Sequence, residues 1–172
     1  MKKFLRSFFL TSRFFGIGWA FVVLFCTAFF WPFMLPIATY GLLAFGVVAL
    51  VDVIMLYRVR NGISAGRSTL DKWSNGDENP VTLTVVSRYP IPLNVRVLDE
   101  LPFQFQERKL DLAADFPAEG VRSFNYMVRP VERGVYTYGA INTLVRTSLG
   151  LVERRYRQEQ GKEVAVYPSY IH

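Results

Sequence analysis

Hydrophobic and polar positions along the chain fall into two regimes. Residues 14–57 are 44 in number and carry a single charge, Asp52. A bilayer core about 30 Å thick takes roughly 20 apolar residues at 1.5 Å each, so this run is twice the length of one crossing. Its middle reads Trp31-Pro32-Phe33-Met34-Leu35-Pro36. Two prolines four apart remove amide donors and clash with a continuing helix. The pattern predicts one helix over about 14–31 and a second over about 37–57, turned at about 32–36. Trp31, Tyr40 and Tyr57 fall near the helix ends, where amphipathic rings favour the headgroup layer.

After Tyr57 the period shortens to two. Val81, Leu83 and Val85 alternate with threonines, Leu93, Val95 and Val97 with Asn94 and Arg96, and Phe124, Tyr126 and Val128 with Ser123 and Asn125. Such alternation is the mark of a half-buried strand. Further strands are expected over 63–70, 135–138, 141–146, 152–157 and 164–167, and only 106–116 has a helical alternative. The breaks fall on turn-forming residues, among them Ser74-Asn75-Gly76-Asp77, Pro90, Pro92, Gly120, Gly134, Gly139 and Gly150. Seven or eight strands in about 110 residues is the size of an immunoglobulin-like sandwich. The expected organisation is a basic arm over 1–13, a two-helix transmembrane hairpin over 14–57, and an all-β sandwich domain over 58–172.

Charge changes the picture by its placement. The net charge is +6, yet from residue 74 onward twelve basic side chains face twelve acidic ones. The excess sits beside the apolar run, as Lys2, Lys3, Arg6 and Arg13 before it and Arg58, Arg60, Arg67 and Lys72 after it. A bound nucleic acid needs a basic face on the folded domain, and a neutral one supplies none, so no nucleic-acid partner is expected. The partner implied is the lipid bilayer. Both flanks are basic while the turn is uncharged, which places both termini in the cytoplasm. A signal peptide would end in a small-residue cleavage site, whereas the run continues through Phe29, Phe30 and Trp31 into the prolines.

Asp52 costs about 2.5–3.5 kcal/mol at mid-membrane. It lies within two turns of Arg58, so it reads as an interfacial carboxylate paired with the basic flank. The alternative reading is an ion relay or a polar contact to a partner helix. Cys26 reads as a small packing residue, and Gly16 with Ala20 as one pair suited to a close helix contact.

One histidine and one cysteine exclude a Cys/His zinc site, a disulfide framework and a self-contained Ser-His-Asp triad. No phosphate-cradling glycine loop is present. Asp77-Glu78 in a turn and Asp99-Glu100 at a strand end read as solvated, and adjacent strand residues point to opposite faces. No catalytic residue, cofactor, metal or small-molecule substrate is expected.

Three segments carry a resemblance: R-P-V-E-R-G-V-Y-T-Y-G over 129–139, T-S-L-G-L-V-E-R-R over 147–155 and V-A-V-Y-P-S over 164–169, preceded by L-D-E-L-P over 98–102. Their order resembles the membrane-proximal part of a bacterial family known as domain of unknown function number fifty-eight. The family pattern is R-x-x-x-R-G-x-Y-x-(F/L)-G, then D-P-(F/L)-G-L, then V-Y-P. The resemblance implies a cytoplasmic β-sandwich on a two-helix anchor in the bacterial inner membrane, associated with a MoxR-type AAA ATPase. It also implies a von Willebrand A-like domain after V-Y-P, so that these residues form the front part of a longer protein. Ser148-Leu149 stands where the family has Asp-Pro. The matched residues Arg129, Arg133, Gly134, Tyr136, Tyr138, Gly139 and Gly150 are the candidate structural or partner contacts. The glycines would supply turn geometry and the tyrosines sandwich packing. The arginines would pair across a turn with Glu132 or Glu153, or bind a partner carboxylate. The function expected is a non-enzymatic interaction module. The alternative is a small accessory subunit of a transport or envelope complex acting through its helices.

Overall fold

The computed structural model of the chain describes residues 7–105 and 109–167. Lys2, Lys3 and Arg6 of the basic arm, Gln106 of the helical alternative, and Pro168 and Ser169 of the last motif lie outside the described residues. The chain divides into two compact units: the residues up to Arg60 with Val145–Arg155, and those from Asn61 to Leu144 with those from Tyr156 on.

In the first unit a short strand, β1 (Phe8–Leu10), leads into α1 (Ser12–Ala28) and α2 (Met34–Arg58). Thr11 starts α1 as its N-cap, with extended backbone and a side-chain oxygen that accepts from the Phe14 amide. The turn comes earlier than the proline spacing predicts: α1 stops at Ala28 and α2 resumes at Met34. Pro36 does not break the helix, because it sits in the first turn of α2, where an amide has no intrahelical partner to lose. The 25 residues of α2 make it long and apolar enough to cross a membrane; α1, with 17, is shorter. The two helices meet through aromatic rings, with Phe14 and Phe21 at 5.2 and 5.8 Å from Phe45. Strand β1 runs antiparallel to β10 (Val152–Gln158), with Phe8 opposite Arg154 and Leu10 opposite Val152.

The second unit is built of strands, mostly antiparallel. One sheet has the order β2 (Ile63–Thr69), β4 (Asn79–Ser87), β7 (Val121–Val128). Another has β3 (Lys72–Ser74), β11 (Glu163–Tyr167), β8 (Gly134–Thr137), in which β3 and β11 are parallel. In a third, β9 (Ile141–Arg146), β5 (Leu93–Glu100) and β6 (Lys109–Phe116) lie side by side. The segment with the helical alternative is therefore a strand from Lys109 onward, paired along its length with β5.

The alternation read from the sequence maps onto burial. Val81, Leu83, Val85, Val95 and Val97 are wholly buried. Residues from two sheets share one core: Trp73, Tyr136, Tyr138, Val164 and Val166 pack with Val81 and Val128, and Phe105 and Tyr126 lie against them. Trp73 is the hub, edge-on to Tyr138 at 5.8 Å, with its indole N–H donating to Thr69 Oγ1 at 3.1 Å.

A Leu83→Ala substitution removes a wholly buried side chain from β4 and should cost about 2–5 kcal/mol. Arg122→Ala, on an exposed position of β7, should stay within about 0.5 kcal/mol. Thermal unfolding of the detergent-solubilised chain, followed by circular dichroism, measures both.

Candidate functional site

Within the first unit, the turn between β9 and β10 wraps a carboxylate. Asp52, wholly buried on α2, accepts from the amides of Leu151 (3.0 Å) and Val152 (2.9 Å) through one oxygen and from the Thr147 hydroxyl through the other. The Thr147 oxygen in turn accepts from the amides of Leu149 and Gly150 at 3.2 and 3.4 Å. Thr11 fastens the same turn from the α1 side: its hydroxyl donates to the Gly150 carbonyl (2.6 Å) and its amide to the Leu151 carbonyl (3.1 Å). The turn can take this path because Gly150 has φ near +64°, a backbone region costly for any residue with a Cβ. Arg154 closes the C-terminus of α2, donating to the carbonyls of Leu56, Val59 and Arg60 while its guanidinium lies 4.5 Å over the Tyr57 ring. Asp52 is thus not paired with the basic flank. Its partners are a hydroxyl and two backbone amides from about a hundred residues further along the chain.

The second unit holds a closed polar network. Arg67 of β2 and Asp99 of β5 form an ion pair with side chains 1% and 0% exposed. Asp99 also accepts from the Tyr126 hydroxyl at 2.7 Å, and Arg67 lies 4.0 Å over the Tyr138 ring and donates to the carbonyls of Gly139 and Gln160. Asp99 is therefore not solvated. Glu100, its neighbour, bonds the Ala140 amide (3.1 Å) and the Asn142 side chain (2.8 Å). Both members of the pair were visible as a pattern: Ile63, Ala65, Arg67 on one strand and Val95, Val97, Asp99 on another continue an inward face by twos. A cation and an anion ending two apolar series signal a buried pair. Burial first, then Asp99 and Tyr138, push the Tyr126 phenol far above its ordinary value. Tyr138 is pushed up to about 12, chiefly by burial, with the Tyr126 hydroxyl opposing.

The residues matched by the resemblance separate into buried and exposed sets. Tyr136 and Tyr138 are 1% and 2% exposed and belong to the core around Trp73; the Tyr136 hydroxyl donates to the Glu132 carbonyl at 3.0 Å. Gly139 is needed for space, since a Cβ there would stand 2.6 Å from a Glu100 carboxylate oxygen; Gly134, like Gly150, has positive φ. Arg129 does brace a turn, but through the Gly76 carbonyl rather than through Glu132 or Glu153. Glu153 is taken by Arg146. Arg133 is exposed and meets no carboxylate among the described residues.

Among the described residues no group of three His, Cys, Asp or Glu could hold a metal ion. A shallow depression of about 340 Å³ on α1 is lined by Phe14, Phe15, Gly18, Trp19 and Val22, with no charged side chain to orient a substrate. Neither a protein-family model nor a curated protein matches the chain. Among solved structures, similar chains include a CARDB domain from Pyrococcus furiosus, 13% identical over 61% of this chain and 94% of that one, TM-score 0.41. Others are the C-terminal domain of wzt, 11% identical over 63% and 75%, TM-score 0.39, and a β-glucosidase from Listeria innocua, 13% identical over 64% and 16%, TM-score 0.36. Likeness at this level carries no functional inference.

Two outcomes follow. Asp52→Leu leaves two buried amides and a hydroxyl without an acceptor and should destabilise the first unit by about 3 kcal/mol or more; Asp52→Asn, which keeps one oxygen, should cost less. Hydrogen exchange reads this directly, since the Leu151 and Val152 amides should lose protection in the leucine variant and keep part of it in the asparagine one. Separately, absorbance at 295 nm should show Tyr126 and Tyr138 still neutral as the pH passes 10, the ordinary value for a phenol. A phenol whose value is raised on folding stabilises the fold below its unfolded value and loses that contribution as pH rises through the folded one. Stability should therefore fall from about pH 10 towards 12, and less so in Tyr138→Phe.

Proposed function

We propose that the chain is a membrane-anchored, non-enzymatic interaction module. A two-helix hairpin crosses the bacterial inner membrane with both ends in the cytoplasm. The strand-rich unit, an immunoglobulin-like sandwich, serves as a docking surface for a MoxR-type AAA ATPase or a von Willebrand A-like domain. The observation that carries the anchor is the exposure of large apolar rings on and between the helices: Phe29 85%, Phe30 75%, Trp19 70% and Phe33 65%. Faces of this kind on helices that satisfy their own backbone suit hydrocarbon, which supplies no hydrogen bonds. They are costly in water. The short α1 reaches the required span with help from the apolar residues 29–31 that follow it.

The docking reading is supported by the order of the sequence motifs and by what the matched residues leave outward. The tyrosines and glycines are consumed by the fold, whereas Arg133 stands exposed beside Val131, itself 72% exposed. An arginine with an apolar neighbour and no carboxylate partner among the described residues is a suitable contact for a carboxylate on another protein.

An alkaline wash of membranes should leave the full chain in the pellet, and its recovery in a detergent-free supernatant would end the anchor reading. In detergent, the chain should capture a MoxR-type ATPase from the same cell, with Arg133→Glu lowering capture fivefold or more on the order expected for a reversed charge pair. Undiminished capture by that variant would move the docking site elsewhere, and a partner that follows the helices alone would favour the accessory-subunit alternative.

A further inference from the structure

Charge in the first unit is one-sided. Its described residues hold six arginines, Arg13, Arg58, Arg60, Arg146, Arg154 and Arg155, and no lysine, against two acids, Asp52 and Glu153. Both acids are used within the fold: Asp52 is wholly buried among its amide and hydroxyl donors, and Glu153 is paired with Arg146. Arg154 is turned onto the carbonyls that end α2. Arg13, Arg58 and Arg60 are different. All three side chains belong to exposed residues and meet no carboxylate among the described residues.

Their places are set by the helices. Arg13 is the residue before Phe14, in the first turn of α1, and its guanidinium lies beside the turn at Gly150. Arg58 closes α2 and Arg60 follows two residues later. The turn that Arg13 touches is the one that wraps Asp52, so Arg13 stands near the level of Asp52 on α2. From Asp52 to Arg58 is about 9 Å of helix, and Arg60 lies two residues beyond the helix end. The polar layer of one leaflet is about 5–8 Å deep, and arginine stems extend several ångströms to carry their heads into it.

Resting on the anchor reading, we propose that Arg13, Arg58 and Arg60 form a collar that binds the phosphate groups of anionic phospholipids in the surrounding bilayer. The unit offers exposed apolar helix faces to the acyl chains and unneutralised cations to the headgroups. Each such cation near an anionic surface favours binding by about fivefold at moderate ionic strength, and the effect is screened by salt. The collar therefore selects lipids by headgroup charge, in addition to the non-selective solvation of the helices.

The test uses the full chain in detergent, offered phosphatidylglycerol or phosphatidylcholine with identical acyl chains. Lipid retained through size-exclusion chromatography is counted at low and at high salt. The expected result is a preference for phosphatidylglycerol of about tenfold or more at low salt, shrinking at high salt. The triple variant R13Q/R58Q/R60Q should lose the preference, and R13K/R58K/R60K, which keeps the charge, should retain it. Both should still sediment with alkaline-washed membranes. Equal retention of the two lipids by the unsubstituted chain, undiminished preference in the glutamine variant, or indifference in the lysine variant would each overturn the collar while leaving the anchor standing. Release of the unsubstituted chain by the alkaline wash would overturn the anchor, and the collar with it.

Discussion

A carboxylate carried on an apolar helix must find hydrogen-bond donors that stay with it, and the first unit is arranged around that requirement. Asp52 is wholly buried on α2, and every donor it uses comes from the turn between β9 and β10. Two of the three are backbone amides, so the turn must hold a definite conformation to present them. Gly150 at positive φ allows that conformation, the Thr147 hydroxyl organises it from within, and Thr11 secures it from the start of α1. One buried charge thus ties together two helices and a distant turn. The net worth of such a tie is small, because desolvation opposes the attraction, but breaking it leaves buried groups unpaired. That asymmetry makes Asp52 a determinant of conformation more than a source of stability.

The second unit solves a similar problem with side chains. Arg67 and Asp99 end the inward faces of two strands, and neither reaches water. Tyr126 donates to the carboxylate and Tyr138 lies under the guanidinium. The same tyrosines pack with Trp73 and Tyr136, so the polar network and the aromatic core share atoms. Loss of one partner would therefore disturb packing as well as charge.

How far these features are legible in the sequence depends on whether partners are local. Strands over residues 81–85 and 93–97 are legible because burial alternates with the chain itself, and each of Val81, Leu83, Val85, Val95 and Val97 lies inside. The turn between the helices is misplaced by a few residues because a proline reads as a break, although one in a helix's first turn costs nothing. Asp52 is misread for a different reason. Arg58 is visible six positions away, whereas the true donors lie about a hundred positions on and two carry no side-chain signature at all. Asp99 is misread as solvated because its place at a strand end outweighs the run of Val95 and Val97 before it. The short strands β1 and β3, three residues each, hold too little pattern to register.

What the fold consumes defines what is left for other molecules. Asp52, Asp99, Glu100 and Glu153 are each occupied by donors from the same unit, and the core tyrosines are enclosed. A general acid or base has to exchange its proton with a substrate, whereas these carboxylates are committed to donors that hold the fold. Among the groups left outward are apolar helix faces, the cations Arg13, Arg58 and Arg60, and Arg133 beside an exposed valine. Such groups attract surfaces. The buried carboxylates are thus spent on conformation, and the exposed apolar faces and arginines are the surfaces left for contact.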